Sequence, residues 1–432
     1  MGNVSVTLAF IIFLASYIGI MTEKINRALV ACCGGVIMLV LGLLEVEQAF
    51  FEHVDWNTIA LLFSMMVLVS ITSQNGVFEY IAILLARQVK GKPIPLLIVM
   101  STITAIGSAF LDNVTTVLLL VPIIITLTNM LNVSSTPFLI SAILFANIGG
   151  TATLIGDPPN IMIGQAVDHL DFNDFIMNLG PVVFLIYIVV IGGISLFYRR
   201  SLFISSEKRL QLMQLDPKEF LKKGPMLYKS VTVLLLTICG FLLHPLLHLD
   251  LTTVAMSGAL LLLLITTEEQ EIEEVFRSIE WVTLFFFIGL FILVGGLIEV
   301  GIIDEMARGI LSWTEGDIPK TAIIILWGSG LLSGFVDNIP FVAAMIPVIM
   351  EFEEYGIQNL DPLWWALALG SCLGGNATLI GASANVIVAG LASKSKQTFS
   401  FVQFFLIGFP VVIVSLIIST IYLVLRYLLA YF

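Results

Sequence analysis

Three carboxylates stand inside long apolar runs: Asp112, Asp157 and Asp337. Facing lipid, each would cost about 2.5–3.5 kcal/mol or more, so each is expected to face a wet cavity. Burial raises a carboxylate's pKa, and a bound cation or a nearby donor lowers it. A carboxylate balanced between the two can exchange a proton for a cation, or gate a neutral solute. The alternative for Asp112 and Asp337 is helix capping, with the side chain accepting backbone N–H bonds. For Asp157, followed by Pro158-Pro159, the alternative is turn chemistry. Neutral polar residues gather around the acids. Asn113, Thr115, Asn147, Thr151, Thr153 and Asn160 form one cluster, and Asn338, Asn376, Thr378, Ser383 and Asn385 the other. Their amides, hydroxyls and unwound carbonyls suit a small cation or a hydroxylated solute, with sodium at Asp112, Asn113, Asp337 and Asn338 as one arrangement. The same residues could instead satisfy broken-helix backbone, which such breaks require.

These residues must be positioned by interrupted helices. The stretch 147–160, NIGGTATLIGDPPN, lies between apolar runs and carries Gly149, Gly150 and Gly156 with two prolines. A continuous helix is not expected to survive Gly149-Gly150 and Pro158-Pro159. The glycines are read as permitting close backbone approach. Adding 225 to each position gives a second copy, GGNATLIGASAN over 374–385, with Gly374, Gly375 and Gly381. The same offset carries Asp112-Asn113 onto Asp337-Asn338, Pro122 onto Pro347, Gly76 onto Gly301 and Trp56 onto Trp281. One acid has no counterpart: Asp157 maps onto Ala382.

Composition sets the solvent. The 432 residues are 58% hydrophobic and 12% charged, with mean hydropathy +1.05. Soluble domains average about 25% charged, so an integral membrane protein is indicated. The net charge of −12 is spread over loops and leaves no basic face for nucleic acid. Cys32, Cys33, Cys239 and Cys372 lie in apolar runs without disulfide or zinc spacing. The histidines, His53, His169, His244 and His248, fall at segment ends or in loops, so no buried histidine relay is indicated.

Apolar segments run over 4–22, 27–45, 57–86, 95–131, 137–165 and 178–198, and again over 229–247, 251–267, 281–303, 320–350, 362–392 and 402–427. A span needs about 20 residues, so 95–131 and 320–350 are too long for one crossing. Each has Asp-Asn near its middle and is read as a re-entrant helical hairpin with that pair at its tip. Loop charge supports this. Eight basic residues, Arg199, Arg200, Lys208, Arg209, Lys218, Lys222, Lys223 and Lys229, put the central linker inside. Counting back, the acidic loops 166–177 and 45–55 fall outside, and Lys24 and Arg27 inside. Five crossings plus one hairpin per half is odd, so the halves must be inverted. The expected fold is an all-α polytopic membrane protein. It has a repeat over 1–200, a cytoplasmic linker over 201–228, an inverted repeat over 229–432, about ten spans, two hairpins and two broken helices. A multi-pass protein of the plasma or inner membrane follows.

The motifs GGTATLIGDPPN (149–160), DNIP (337–340) and GGNATLIGASAN (374–385) resemble the ArsB/NhaD branch of the ion-transporter superfamily, and especially the bacterial relatives of the pigmentation-linked P protein. The resemblance implies a scaffold, a transport unit bearing both hairpins, an elevator-like motion and a homodimer. It implies a secondary transporter, not an enzyme, with protons and a small inorganic ion or solute as partners and no cofactor. Proton-coupled efflux of arsenite or antimonite is the first expectation, and sodium/proton antiport the second. A carboxylate substrate is disfavoured, since no lysine or arginine lies in the breaks and the Ser-Asn-Thr motifs of carboxylate carriers are absent. A passive channel is the reading from another class. An intramembrane aspartyl protease would need Gly-x-Gly-Asp where Leu154-Ile-Gly-Asp157 stands. No phosphate-binding Gly-x-x-x-x-Gly-Lys-Ser/Thr motif occurs, so ATP could act only through a separate ATPase subunit.

Overall fold

The computed structural model describes residues 2–22, 24–222, 224–266 and 269–429; Lys223 of the basic linker lies outside them. In lipid, a backbone can satisfy its polar groups only within helices or closed barrels, and this chain, rich in leucine, isoleucine, valine and phenylalanine, takes the helical route. The described residues hold no strand. The protein is an all-α, multi-pass membrane protein.

The first half contains α1 (Gly2–Thr22), α2 (Arg27–Val40), α3 (Trp56–Ser73), α4 (Val77–Gln88), α5 (Pro93–Leu111), α6 (Asn113–Met130), α7 (Thr136–Gly150), α8 (Pro158–Ala166) and α9 (Phe172–Tyr198). The second contains α10 (Pro225–Leu247), α11 (Leu251–Ile265), α12 (Trp281–Glu299), α13 (Ile302–Thr314), α14 (Ile318–Ser333), α15 (Asn338–Glu354), α16 (Asp361–Gly374), α17 (Ser383–Lys394) and α18 (Phe401–Leu423). The 225-residue offset seen in the motifs also relates the helices: α3 maps onto α12, α7 onto α16 and α9 onto α18.

Among the described residues, eight helices are long and apolar enough to cross a membrane, among them the hairpin arms α5 and α6. Four more, including α2 and α14, are apolar but shorter. Helix ends carry the expected caps. Asp55 accepts from the backbone of Asn57 at 3.0 Å and Thr58 at 3.1 Å at the start of α3. Asp171 and Ser400 open α9 and α18 with reciprocal capping boxes.

One expectation is adjusted. The segments 57–86 and 281–303 are each split in two at a glycine. Gly76 and Gly301 adopt left-handed φ of +74° and +79° and separate α3 from α4 and α12 from α13. Gly149 and Gly150 are the last two residues of α7, which unwinds at Thr151, so the expected break falls between them and Pro158. The missing side chains let α7 seat against the backbone of Ala105 on α5, and a Cβ on Gly149 would collide there. Gly374 is seated in the same way against Gly330 on α14. Packing contact thus offsets glycine's helix penalty of about 1 kcal/mol. Pro158 and Pro159 start α8, occupying its first positions, where a missing N–H costs little.

The linker lies across one of the two glycine hinges. Lys222 N donates to Asn75 O at 3.2 Å, and Asn75 Nδ2 donates to Ser230 Oγ at 3.3 Å. The Phe220 carbonyl fills the place where a Gly76 side chain would go. Farther along, Arg209 Nε donates to Lys90 O at 3.0 Å, beyond the far end of α4. Nothing lies within 4 Å of the corresponding position at Gly301.

Candidate functional site

Each break is held open by its own polar residues. Thr151–Asp157 carry α7 into α8 as irregular chain, and 375–382 carry α16 into α17. Asn160 Nδ2 donates back to Thr151 O at 3.2 Å and Thr153 O at 2.9 Å. Asn385 Nδ2 repeats this with Gly375 O at 2.7 Å and Thr378 O at 2.8 Å. Thr153 Oγ1 donates to the Ala109 carbonyl, and Thr378 Oγ1 to Gly334 O at 2.6 Å, pinning each break to its hairpin. Thr151 Oγ1 donates to Asn147 O at 2.7 Å. For Thr151, Thr153, Asn160, Thr378 and Asn385 the observed bonds are thus largely with backbone, as broken helices require.

A second set joins the halves. Asn113 Nδ2 donates to Asn147 Oδ1 at 3.1 Å. Asn147 Nδ2 then lies 3.0 Å from both Asn376 Oδ1 and Asn385 Oδ1. Cys372 Sγ contacts Asn160 Oδ1 at 3.4 Å, and Asn338 Nδ2 donates to Asp157 Oδ1 at 3.3 Å. The tip of the second hairpin therefore meets the break of the first half, and the two breaks lie side by side.

The three acids differ. Asp112, at φ +75°, caps α6, accepting from Thr115 N at 2.7 Å and Thr115 Oγ1 at 2.6 Å. Asp337 caps α15 through Ile339 N at 3.2 Å and pairs with Arg27 Nη1 at 2.8 Å. Ser383 Oγ also donates to Asp337, at 3.2 Å. Both hairpin-tip acids are thus engaged by donors from the chain itself. Asp157 is 0% exposed; Asn338 donates to Oδ1, the Cys372 thiol lies against the carboxylate, and among the described residues Oδ2 has no hydrogen-bond partner. Asn113 Oδ1 is likewise buried without a partner. Leaving such acceptors unmade costs about 1–3 kcal/mol each, more for a charged group, so the two fall among the least satisfied polar atoms beside the breaks.

Sequence reasoning missed Arg27. It lies 310 residues from Asp337, and loop charge placed it in an inner turn. Its position as the first residue of α2 was the available signal, and that does not name a partner. The statement that no arginine lies in the breaks is true of the chain order but not of the folded site. Among the described residues, no cluster of three or more His, Cys, Asp or Glu suits a metal ion.

A cavity of about 490 Å³ opens beside the site, lined by Glu52, His53, Asp55 and Asn57 on one side and Met162, Gln165, Ala343 and Ile346 on the other. Met162 is two residues past Asn160. His53 Nε2 is 3.1 Å from Glu299 Oε1.

Comparison with known proteins now bears on this geometry. The profile of the CitMHS family, described as a citrate transporter, matches residues 17–370. The chain is 39% identical to an uncharacterized transporter of Mycobacterium bovis, over 97% of this chain and 98% of that one. It is 34% identical to the human P protein, over 97% of this chain and 59% of that longer protein. Two solved structures share the fold. They are MtrF of Neisseria gonorrhoeae (TM-score 0.60, 10% identity, covering 98% of this chain and 94% of that one) and YdaH of Alcanivorax borkumensis (0.55, 12%, covering 92% and 89%).

Proposed function

The chain belongs to the CitMHS citrate transporter family and is a secondary transporter of the ion-transporter type; on that premise we propose that it exchanges protons for a small cation at Asp157. The observation that carries this reading is the unpartnered Oδ2 of a fully buried carboxylate. In a membrane interior such a group is stable when it holds a proton or a cation, and it cannot hold both. Competition for one carboxylate is the simplest physical basis of antiport. Sodium suits the neighbouring amide oxygens. The orphan oxygen moves a cation ahead of a neutral solute, reversing the order the resemblance suggested.

Efflux of arsenite or antimonite is the second reading. Its support is the amide chain Asn113–Asn147–Asn376/Asn385, which offers donors and acceptors to a hydroxylated solute. A tricarboxylate has less support, because Arg27 is already paired with Asp337. The test is reconstitution in liposomes with an internal pH dye, challenged first with sodium and then with arsenite. Sodium should move the dye in the native protein and fail to do so in Asp157→Asn. An undiminished response in that variant would remove Asp157 from the mechanism. Arsenite uptake without a sodium response would install the second reading.

A further inference from the structure

Arg27 ties α2 to the second hairpin tip and to α17, which are themselves joined by the Ser383–Asp337 bond. From the first position of α2, Nη1 donates to Asp337 Oδ2 at 2.8 Å and to the Ser383 hydroxyl. Nη2 reaches Thr283 Oγ1 of α12 at 3.4 Å, and the guanidinium lies 4.9 Å from the centre of the Phe286 ring. Thr283 in turn donates to Glu280 Oε2 at 3.1 Å. One cation, backed by the packed pair α2 and α12, therefore grips both the second hairpin tip and the head of the half-helix α17. The side chains of Arg27 and Asp337 are only 21% and 10% exposed, so neither charge has much water to fall back on. The first half has no such grip. Position 252, the repeat equivalent of Arg27, is Thr252, whose hydroxyl goes to Asn57 O at 3.3 Å.

Loop charge directs the ion pair and the cavity toward opposite faces of the membrane. The cavity is walled by Glu52, Asp55 and Gln165, at the ends of α3 and α8 that loop charge directs outward. The same charge count directs Arg27 inward. A transporter that works by alternating access must close one mouth while the other is open. We propose that Arg27 is the inner gate: its bond to Asp337 and Ser383 shuts the cytoplasmic mouth of the Asp157 site, and breaking that bond opens it. The inference rests on the transporter reading but not on the identity of the cargo.

Cys372 supplies a reporter. It is fully buried in the site, against Asn160. With Cys32, Cys33 and Cys239 replaced by serine, a membrane-impermeant methanethiosulfonate reagent is applied to inside-out vesicles and, separately, to right-side-out vesicles. Arg27→Gln should accelerate labelling from the inside by roughly tenfold or more, as expected for losing a weakly solvated ion pair. It should not accelerate labelling from the outside. Asp337→Asn, which keeps a capping side chain while removing the charge, should do the same. The exchange Arg27→Asp with Asp337→Arg should bring the inside rate back toward native. Equal inside rates in native, Arg27→Gln and Asp337→Asn proteins would overturn the proposal. So would a swapped pair that labels as fast as Arg27→Gln, since Arg27 would then act through packing on Phe286. The assay involves no transport, so it can fail while the Asp157 reading stands, and the reverse.

Discussion

The two breaks are built alike and charged differently. Asn160 and Asn385 stitch their own loops with the same bonds, and Gly149 and Gly374 seat their helices against Ala105 and Gly330 in the same way. Yet the first break holds Asp157 where the second holds Ala382, and Asp337 at the second hairpin tip pairs with Arg27 whereas Asp112 at the first accepts from its own Thr115. What is common to both halves is the backbone problem of ending a helix in the membrane. What differs is where charge is allowed to change. Duplication supplied a symmetric frame, and Asp157 on one side and Arg27 on the other depart from it.

That contrast can be broken in several places. The largest effect is expected at the unmatched acid: Asp157→Asn should lower exchange by about a hundredfold or more, because no other group there can hold proton and cation in turn. Its thermal midpoint in detergent should stay near native. An equal loss on altering Ala382 to Val would mean that the breaks share the work. Next come the matched glycines. Gly149→Val and Gly374→Val should each destabilise by about 3 kcal/mol, by forcing a side chain into backbone. Thermal unfolding should show the two losses to be similar; a large disparity would undo the claim of a common frame. Smaller is the effect at the first tip. Asp112→Ala should cost about 1 kcal/mol of stability, and Asp112→Asn far less, because asparagine also caps. Exchange by Asp112→Asn should remain within about threefold of native on that view. Collapse of exchange would give Asp112 a part in proton movement. Smallest is Gly301→Ala, where left-handed backbone in open space should cost about 1 kcal/mol. Gly76→Ala should cost more, since Phe220 O stands in the way.

The frame was legible because it is written locally. Asp-Asn in the middle of an over-long apolar run, prolines after a glycine-rich stretch, and a fixed offset between copies all act within a few turns of chain. The membrane permits few solutions to them. The tip capping by Asp112 was among the readings, since Thr115 is only three residues away. Gly149-Gly150 marked the end of α7, but helix propensity says nothing about a neighbour such as Ala105 that must come close. Arg27 was invisible for the opposite reason: its partners, Asp337 and Ser383, are set by how the halves pack and not by spacing. The inequality between Asp157 and Ala382 was plain in the alignment of copies. That one oxygen would be left bare needed coordinates.

The fastening of residues 217–222 over Gly76 makes the halves mechanically unequal. One shoulder is splinted by the linker, while the shoulder at Gly301 is bare. A proteolytic nick between Leu215 and Asp216, or a cytosolic ligand that peeled this strip away, would soften the first elbow and leave the second as it was. The tract joining the repeats is therefore more than a tether: it braces one of the two matched turns and leaves the other free.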